Sequence, residues 1–311
     1  MNIWLHRYAV LVACCTFVLI IAGALVTSND AGLAVPDWPT SFGGFNPPMV
    51  GGVFYEHGHR MVASAVGLLT IVLAVWLWRT ERRRWVRRLG WIALAAVVAQ
   101  GLLGGLTVIF LLPTLVSVAH ACLAQAFFCL TVALALFTSR SWLNTAARLE
   151  PSGGPSIHPL TILTAGAVYL QLILGATLRH SAISVTPHVL GAIAVSVLVL
   201  ATGIRVFRFY GSVNELARPA ALLVSFLIVQ LFAGLGAYWV RISKISELQP
   251  TRVSVVITTT HVAAGALVLA TAVVLALRCH RRVRRPGTLG VKWASGLRAT
   301  TVRQRARRSK A

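Results

Sequence analysis

Apolar residues do not alternate along this chain; they come in continuous runs separated by short polar breaks. Eight runs are long enough to cross a bilayer, for which roughly 20 residues are needed: about 8–27, 60–79, 89–112, 115–138, 159–178, 186–206, 217–240 and 253–277. Continuous rather than alternating hydrophobicity excludes a transmembrane barrel, and a helix is then the remaining way to satisfy backbone groups in lipid. The pattern predicts an all-α polytopic membrane protein with eight transmembrane helices.

The runs also echo one another. The fourth reads "SVAHACLAQAFFCLTVALAL" from Ser117 and the eighth "TTTHVAAGALVLATAVVLAL" from Thr258. "QGLLGGL" from Gln100 in the third matches "QLFAGLG" from Gln230 in the seventh. "HRMVASAVG" from His59 in the second matches "HVLGAIAVS" from His188 in the sixth, and "IAGALV" at the end of the first matches "ILGATL" in the fifth. Four matches in one order predict a repeat of two pseudo-symmetric four-helix bundles. The expected organisation is an N-terminal half (1–140), a linker (141–158), a C-terminal half (159–277) and a basic tail (278–311). The glycine-rich strings let helix backbones approach where no hydrophobic drive operates between helices.

Composition sharpens this picture. Of 311 residues 57% are hydrophobic and 12% charged, with only seven acidic groups, about half the charge of a soluble domain. The net charge of +22 raises nucleic acid as a partner, but its distribution argues against one. "RTERRRWVRR" (79–88) holds six arginines and the tail from Arg278 holds twelve Lys/Arg, whereas the first loop, 28–58, holds none. That asymmetry places both termini in the cytoplasm, with Arg179, Arg241, Lys244 and Arg252 as local departures. The tail reads as a disordered extension facing anionic lipid. "MNIWLHR" and the following run read as a retained first helix, because the apolar stretch is longer than a signal-peptide core and lacks a small-residue cleavage site. None of the five cysteines falls in an outer loop, so no disulfide is expected there.

Candidate chemistry lies in the histidines. Of nine, His59, His120, His188 and His261 occupy corresponding positions in the second, fourth, sixth and eighth runs. Zinc centres usually draw mixed ligands to one point; this repeat makes two equivalent pairs instead, His59 with His120 and His188 with His261. Paired neutral imidazoles on facing helices suit the axial positions of haem iron. Glu56 and His59 are spaced i, i+3 and share a helical face, whereas Val185 stands three residues before His188. Two similar sites, only one with an acid, suggest an electron-transfer haem and a chemical site where Glu56 accepts a proton or stabilises developing charge. The competing reading pairs Glu56 with Arg60 as a helix-end salt bridge. His57 points elsewhere and is expected at the interface. The loop "VPDWPTSFGGFNPP" is too broken for helix; Trp38 there is either a lid against a porphyrin face or an interfacial anchor, and Asp37 braces the loop.

These residues together resemble the heme A synthase family, over essentially 8–277. The motif Glu56-His57-Gly58-His59-Arg60 is similar to the family's E-x-x-H-R opening of its second helix, and "SNDAGLAVPDWPTSFG" (28–43) and "LRHSA" (178–182) resemble its loops. The resemblance implies an oxidoreductase that converts the C8 methyl of heme O to a formyl group, supplying heme A to terminal oxidases. It implies heme b as cofactor on His188 and His261, substrate porphyrin between His59 and His120, and Glu56 as the catalytic carboxylate. It also implies heme O synthase and terminal-oxidase assembly as partners, and a bacterial plasma membrane; oligomerisation is left open. Val35 and Ser41 stand where many members carry a cysteine pair, so no thiol chemistry is expected in that loop. A di-haem b-type cytochrome without porphyrin chemistry accounts for the four histidines equally but leaves Glu56 and the first loop without a task. A 4+4 transporter is disfavoured because the runs lack paired breaks and buried charges, and a prenyltransferase because no acidic cluster exists.

Overall fold

The computed structural model describes residues 2–144, 148–151, 156–180, 183–242 and 250–284, without the side chains of residues 241 and 242. Lys244, the side chain of Arg241, Ser181 and Ala182 of the second-half loop, and the basic tail from residue 285 lie outside them. The elements are α1 (Ile3–Ser28), α2 (Gly51–Thr80), α3 (Arg84–Ile109), α4 (Thr114–Thr138), the short α5 (Arg140–Leu143), α6 (Ile157–Arg179), α7 (Val185–Tyr210), α8 (Asn214–Ile242) and α9 (Arg252–Arg282). Eight of these are long and apolar enough to cross a membrane, as the hydrophobic runs predict, and the chain is a multi-pass membrane protein.

Neighbours in sequence pack as neighbours in space. Helix α1 lies on α2 and α4, α2 on α3, and α3 on α4; α6 lies on α7 and α9, α7 on α8, and α8 on α9. Each set of four closes into a ring with its own apolar interior: Val12, Val66, Leu73, Leu77, Val86 and Leu134 in the first, and Val199, Val206, Leu216, Leu223, Val268 and Leu275 in the second. The rings meet along α1, α4, α6 and α9. There Ile20, Phe128, Ala266 and Ala270 form a further cluster, and Phe17 stacks on Phe128 with centroids 5.6 Å apart.

Outward-facing Leu68, Ile92, Leu115, Phe232 and Leu235 are well exposed, the surface expected against hydrocarbon rather than water. Several threonines within the spans are satisfied locally. Thr16 and Thr70 donate to the carbonyls of Val12 and Val66, both at 2.7 Å, and Thr164 bonds Thr202 across α6 and α7 at 2.8 Å. A hydroxyl that returns its hydrogen bond to its own helix avoids the cost of an orphan donor in lipid.

Several helices extend beyond the apolar runs, and at two of these ends tertiary charge pairing is seen. Helix α2 begins at Gly51, about two turns before the apolar run, so Glu56 lies inside the helix. The residue is only 4% exposed, and Arg60 pairs with its carboxylate at 2.6 Å. Helix α9 continues to Arg282, where Arg282 pairs with Glu215 at 2.7 Å and Val283 bridges to Leu149. A hydropathy window scores these residues as breaks, whereas tertiary pairing makes them part of the helices.

Candidate functional site

All the long helices run back and forth, so α2, α4, α7 and α9 begin at the same end. His59, His120, His188 and His261 lie within the first three turns of these four helices. Each half-buried ring rests on one glycine of the preceding span. A Cβ placed on Gly23 would meet Cε1 of His59 at 3.1 Å, one on Gly104 would meet His120 at 3.3 Å, one on Gly175 would meet His188 at 3.0 Å, and one on Gly234 would meet His261 at 2.9 Å. At Gly234 a Cβ would force the ring to shift, and at the other three the ring would have to give by a few tenths of an ångström. The glycines are those of the repeated strings "IAGALV/ILGATL" and "QGLLGGL/QLFAGLG"; what the strings alone do not reveal is that each one seats a histidine.

In the second ring the His188 and His261 imidazoles have centroids 6.3 Å apart with planes at 74°. Two imidazoles bonded at about 2 Å to opposite sides of one metal have ring centres roughly 6 Å apart, and rotation about that axis leaves their interplanar angle free. The pair therefore fits an axial ligand set for one iron. His59 and His120 of the first ring lie within electrostatic reach of each other, and the Nδ1 of each is buried without a hydrogen-bond partner. Among the described residues no group of three or more His, Cys, Asp or Glu comes together as a metal site; the donors are arranged in twos. A surface cavity of about 570 Å³ lined by Ile3, His6, Arg7 and Ser139 to Ser141 opens at the other end of α1, away from these rings.

The remainder of "YEHGHR" fastens the loop that joins α1 to α2. Glu56 accepts the Val35 amide on Oε2 at 2.8 Å and the Arg60 guanidinium on Oε1 at 2.6 Å. Arg60 also donates to the carbonyls of Asp37 and Thr40, both at 2.7 Å. His57 is not interfacial as expected; it is buried, with Nδ1 2.8 Å from the hydroxyl of Ser41. Burial follows from the loop folding back over α2 rather than spreading along the membrane surface. Val35 and Ser41 are themselves buried, so the two positions without cysteines are held by hydrogen bonds to Glu56 and His57. The loop's other contact is Trp38, whose indole lies directly on Gly105, where a Cβ would come within 2.6 Å of the ring. Gly105 adjoins Gly104, the seat of His120. One loop thus spans from the His59 helix to α3, beside the glycine that seats His120.

Asp37 shapes the turn in that loop. It accepts from the Thr40 hydroxyl at 2.5 Å and from the amides of Phe42 and Gly43 at 2.6 and 2.9 Å; Phe42 and Gly43 both have positive φ. These donors favour the charged carboxylate and hold its pKa down to about 2, chiefly through Thr40. With a folded pKa below the unfolded value, the bracing is complete above the ordinary carboxylate range and is lost as pH falls through about 2. Amide hydrogen exchange at Phe42 and Gly43 is therefore expected to be flat from neutral to mildly acid pH once intrinsic exchange is corrected. Asp37→Asn should raise it throughout that range.

Glutamines escaped the sequence reading. Gln171 lies beside His188 and Gln230 beside His261, and Gln100 precedes Gly104 as Gln230 precedes Gly234. The recoverable signal was a Gln-x-x-x-Gly spacing in three of the odd-numbered runs.

Residues 51–187, which include Glu56, His59 and His120 and stop just before His188, match the model of a family described as cytochrome oxidase assembly protein (COX15-CtaA). Among curated proteins, a "Heme A synthase" of Shouchella clausii is 29% identical over 237 residues, covering 73% of this chain and 75% of the relative. One of Symbiobacterium thermophilum is 35% identical over 167 residues, 51% of this chain and 53% of the relative. One of Lysinibacillus sphaericus is 34% identical over 112 residues, 35% of this chain and 36% of the relative.

Proposed function

We propose that this chain is a member of the heme A synthase family, which it resembles, and that it oxidises the C8 methyl of heme O to the formyl of heme A in its N-terminal ring, with a heme b held by the C-terminal ring. The observation that carries this reading is the difference between the two histidine pairs. Among the described residues only the first has a buried carboxylate one turn before its leading histidine, with a loop clasped from that helix to α3; Val185 occupies that position before His188.

Haem iron on His188 and His261 supplies one-electron transfer when bound. The rest falls to the protein. His59 and His120 hold the substrate porphyrin, their seats on Gly23 and Gly104 setting how deep it lies. Converting the methyl to a formyl takes up one oxygen atom, from water, and releases electrons to an acceptor outside this chain together with protons; Glu56, bonded to Arg60 and the Val35 amide, is the nearby carboxylate placed to take up a proton. The clasped loop with Trp38 covers the reacting edge and limits its exchange with bulk water. The farnesylated substrate is an amphiphile, so entry from the bilayer between helices suits the lipid-facing exterior.

On this reading the protein sits in a bacterial plasma membrane, in keeping with its bacterial relatives, with the arginine-rich end and both termini cytoplasmic. Its partners are heme O synthase upstream and terminal-oxidase assembly downstream, with anionic lipid at the basic tail. The test is expression in a host that makes heme O but forms no heme A. Heme A in its membranes supports the reading; haem-loaded protein with heme O left unconverted contradicts it.

A further inference from the structure

The cavity at the opposite end of the molecule from the four histidines has a chemistry of its own. It opens between the start of α1 and the short α5, and its lining includes His6, Arg7, Arg140 and Ser141. A volume of about 570 Å³ lies within the range of sites that hold small molecules, about 300–1,000 Å³. Neither Arg7 nor Arg140 has an acidic partner among the described residues. The three acids described at this end are committed elsewhere: Glu81 to Arg83, Glu150 to Arg284 and Glu215 to Arg282. The Arg7 guanidinium instead lies over Trp4, 5.1 Å from the ring centroid. Two cations thus face one concave space with no carboxylate to balance them.

Both walls of the cavity are held by contacts of their own. Nδ1 of His6 stands 3.1 Å from the Ala135 carbonyl. A carbonyl only accepts, so the ring proton sits on Nδ1, and Nε2 of the neutral ring is left as an acceptor. Behind α5, buried Trp142 lies 4.8 Å from the Phe137 ring, with the Arg281 guanidinium 4.7 Å above its face. Arg140 and Ser141, on the same short helix, are exposed. The cavity also lies at the depth of a bilayer interface. Trp4, Trp78 and Trp85 are all exposed at this end, and tryptophan favours the level of the headgroups. One turn further into the span from Arg7 the surface becomes apolar, with Val10 in the lining and Leu11 beside it, both exposed.

Unbalanced cations at the rim, an acceptor nitrogen beside them and an apolar wall leading inward together describe the surroundings of a phospholipid headgroup. We propose that this cavity binds an anionic glycerophospholipid whose headgroup carries a free hydroxyl, phosphatidylglycerol being the simplest. The phosphodiester lies between Arg7 and Arg140, whose guanidinium groups make charge-assisted hydrogen bonds to its oxygens. The headgroup hydroxyl donates to Nε2 of His6, and the acyl chains follow α1 past Val10 and Leu11. Basic pockets between transmembrane helices take anionic headgroups in this way. A soluble phosphate ester satisfies the arginines equally but leaves the apolar wall unused, which favours the lipid. The site is separate from the basic tail and does not depend on what the histidines hold.

The full chain, purified in detergent and stripped of lipid, is titrated with phosphatidylglycerol and separately with zwitterionic phosphatidylcholine, and bound lipid is read by native mass spectrometry. Phosphatidylglycerol is expected to bind with a defined stoichiometry and phosphatidylcholine is not. Arg7→Gln/Arg140→Gln should weaken phosphatidylglycerol at least about tenfold, as expected for lost hydrogen bonds between charged groups. Arg84→Gln/Arg88→Gln removes the same charge from exposed positions of α3 at the same end and should leave binding unchanged. Neither pair of side chains makes an ion pair among the described residues, so both variants are expected to fold. Phosphatidylmethanol, anionic but without the hydroxyl, should bind more weakly than phosphatidylglycerol; equal binding overturns the role of His6. Glycerol 1-phosphate in excess should not displace the lipid; displacement assigns the cavity to a soluble phosphate ester and overturns the lipid. Equal weakening in the two double variants means diffuse attraction to a basic face, and that result, or unchanged binding in Arg7→Gln/Arg140→Gln, overturns the site itself.

Discussion

Gly234→Leu is expected to strip the C-terminal ring of its haem although all four histidines remain in the chain. A Cβ at this position would stand 2.9 Å from Cε1 of His261, closer than non-bonded carbon atoms come. The ring cannot retreat without cost, because it lies between α8 and α9 with Nδ1 on the Gln230 carbonyl. A leucine side chain occupies the ring's own place and rotates it off the axis shared with His188. Retained haem should fall by at least about 100-fold, more than loss of an outer hydrogen bond alone. Gly166→Ala in α6 is the control. A Cβ there meets nothing within 4 Å, so haem content should be unchanged and the helix should gain about 1 kcal/mol from propensity. Reduced-minus-oxidised spectra of the two purified variants make the comparison; full haem in Gly234→Leu would mean that His261 is not a ligand.

The second large effect is at Glu56, where two roles must be separated. The carboxylate is buried and bonded on both oxygens, so it clasps the loop whatever else it does. Glu56→Gln keeps an acceptor for the Val35 amide but leaves the Arg60 charge without its partner in a mostly buried setting. Breaking one side of a buried pair costs about 3–5 kcal/mol, whereas removing both sides is often close to neutral. Heme A formation in Glu56→Gln is expected to fall by about 10²–10⁴-fold, the usual worth of a general acid or base, with heme B retained. The double variant Glu56→Gln/Arg60→Met should recover thermal stability and loop protection but not turnover. Recovery of turnover in the double variant would reduce Glu56 to a clasp and leave the chemistry to other groups.

Much of this was legible in the residue order. The eight runs marked the spans because lipid leaves the backbone no alternative to helix. The repeat marked the four histidines because the four runs that carry them begin at the same end. Contacts distant in sequence were not legible. That Arg60 reaches the carbonyls of Asp37 and Thr40, and that His57 turns inward to Ser41, depends on the loop folding back across more than 15 residues of sequence. The early start of α2 was hidden for the same reason, since a glutamate counts against a span until its arginine is found. The glutamines went unread because one Gln-x-x-x-Gly is unremarkable in an apolar helix; three of them gain meaning only once each is seen beside a ring.

The division of labour between the rings is tested most directly by identifying the haems that copurify with ring-specific variants in a host supplying both heme B and heme O. His261→Ala is expected to lose heme B while the first ring still carries heme O. His59→Ala is expected to keep heme B and lose heme O and heme A together. Heme B alone in the intact protein, filling both pairs while heme O is available, would contradict the account and leave a two-haem electron carrier in its place.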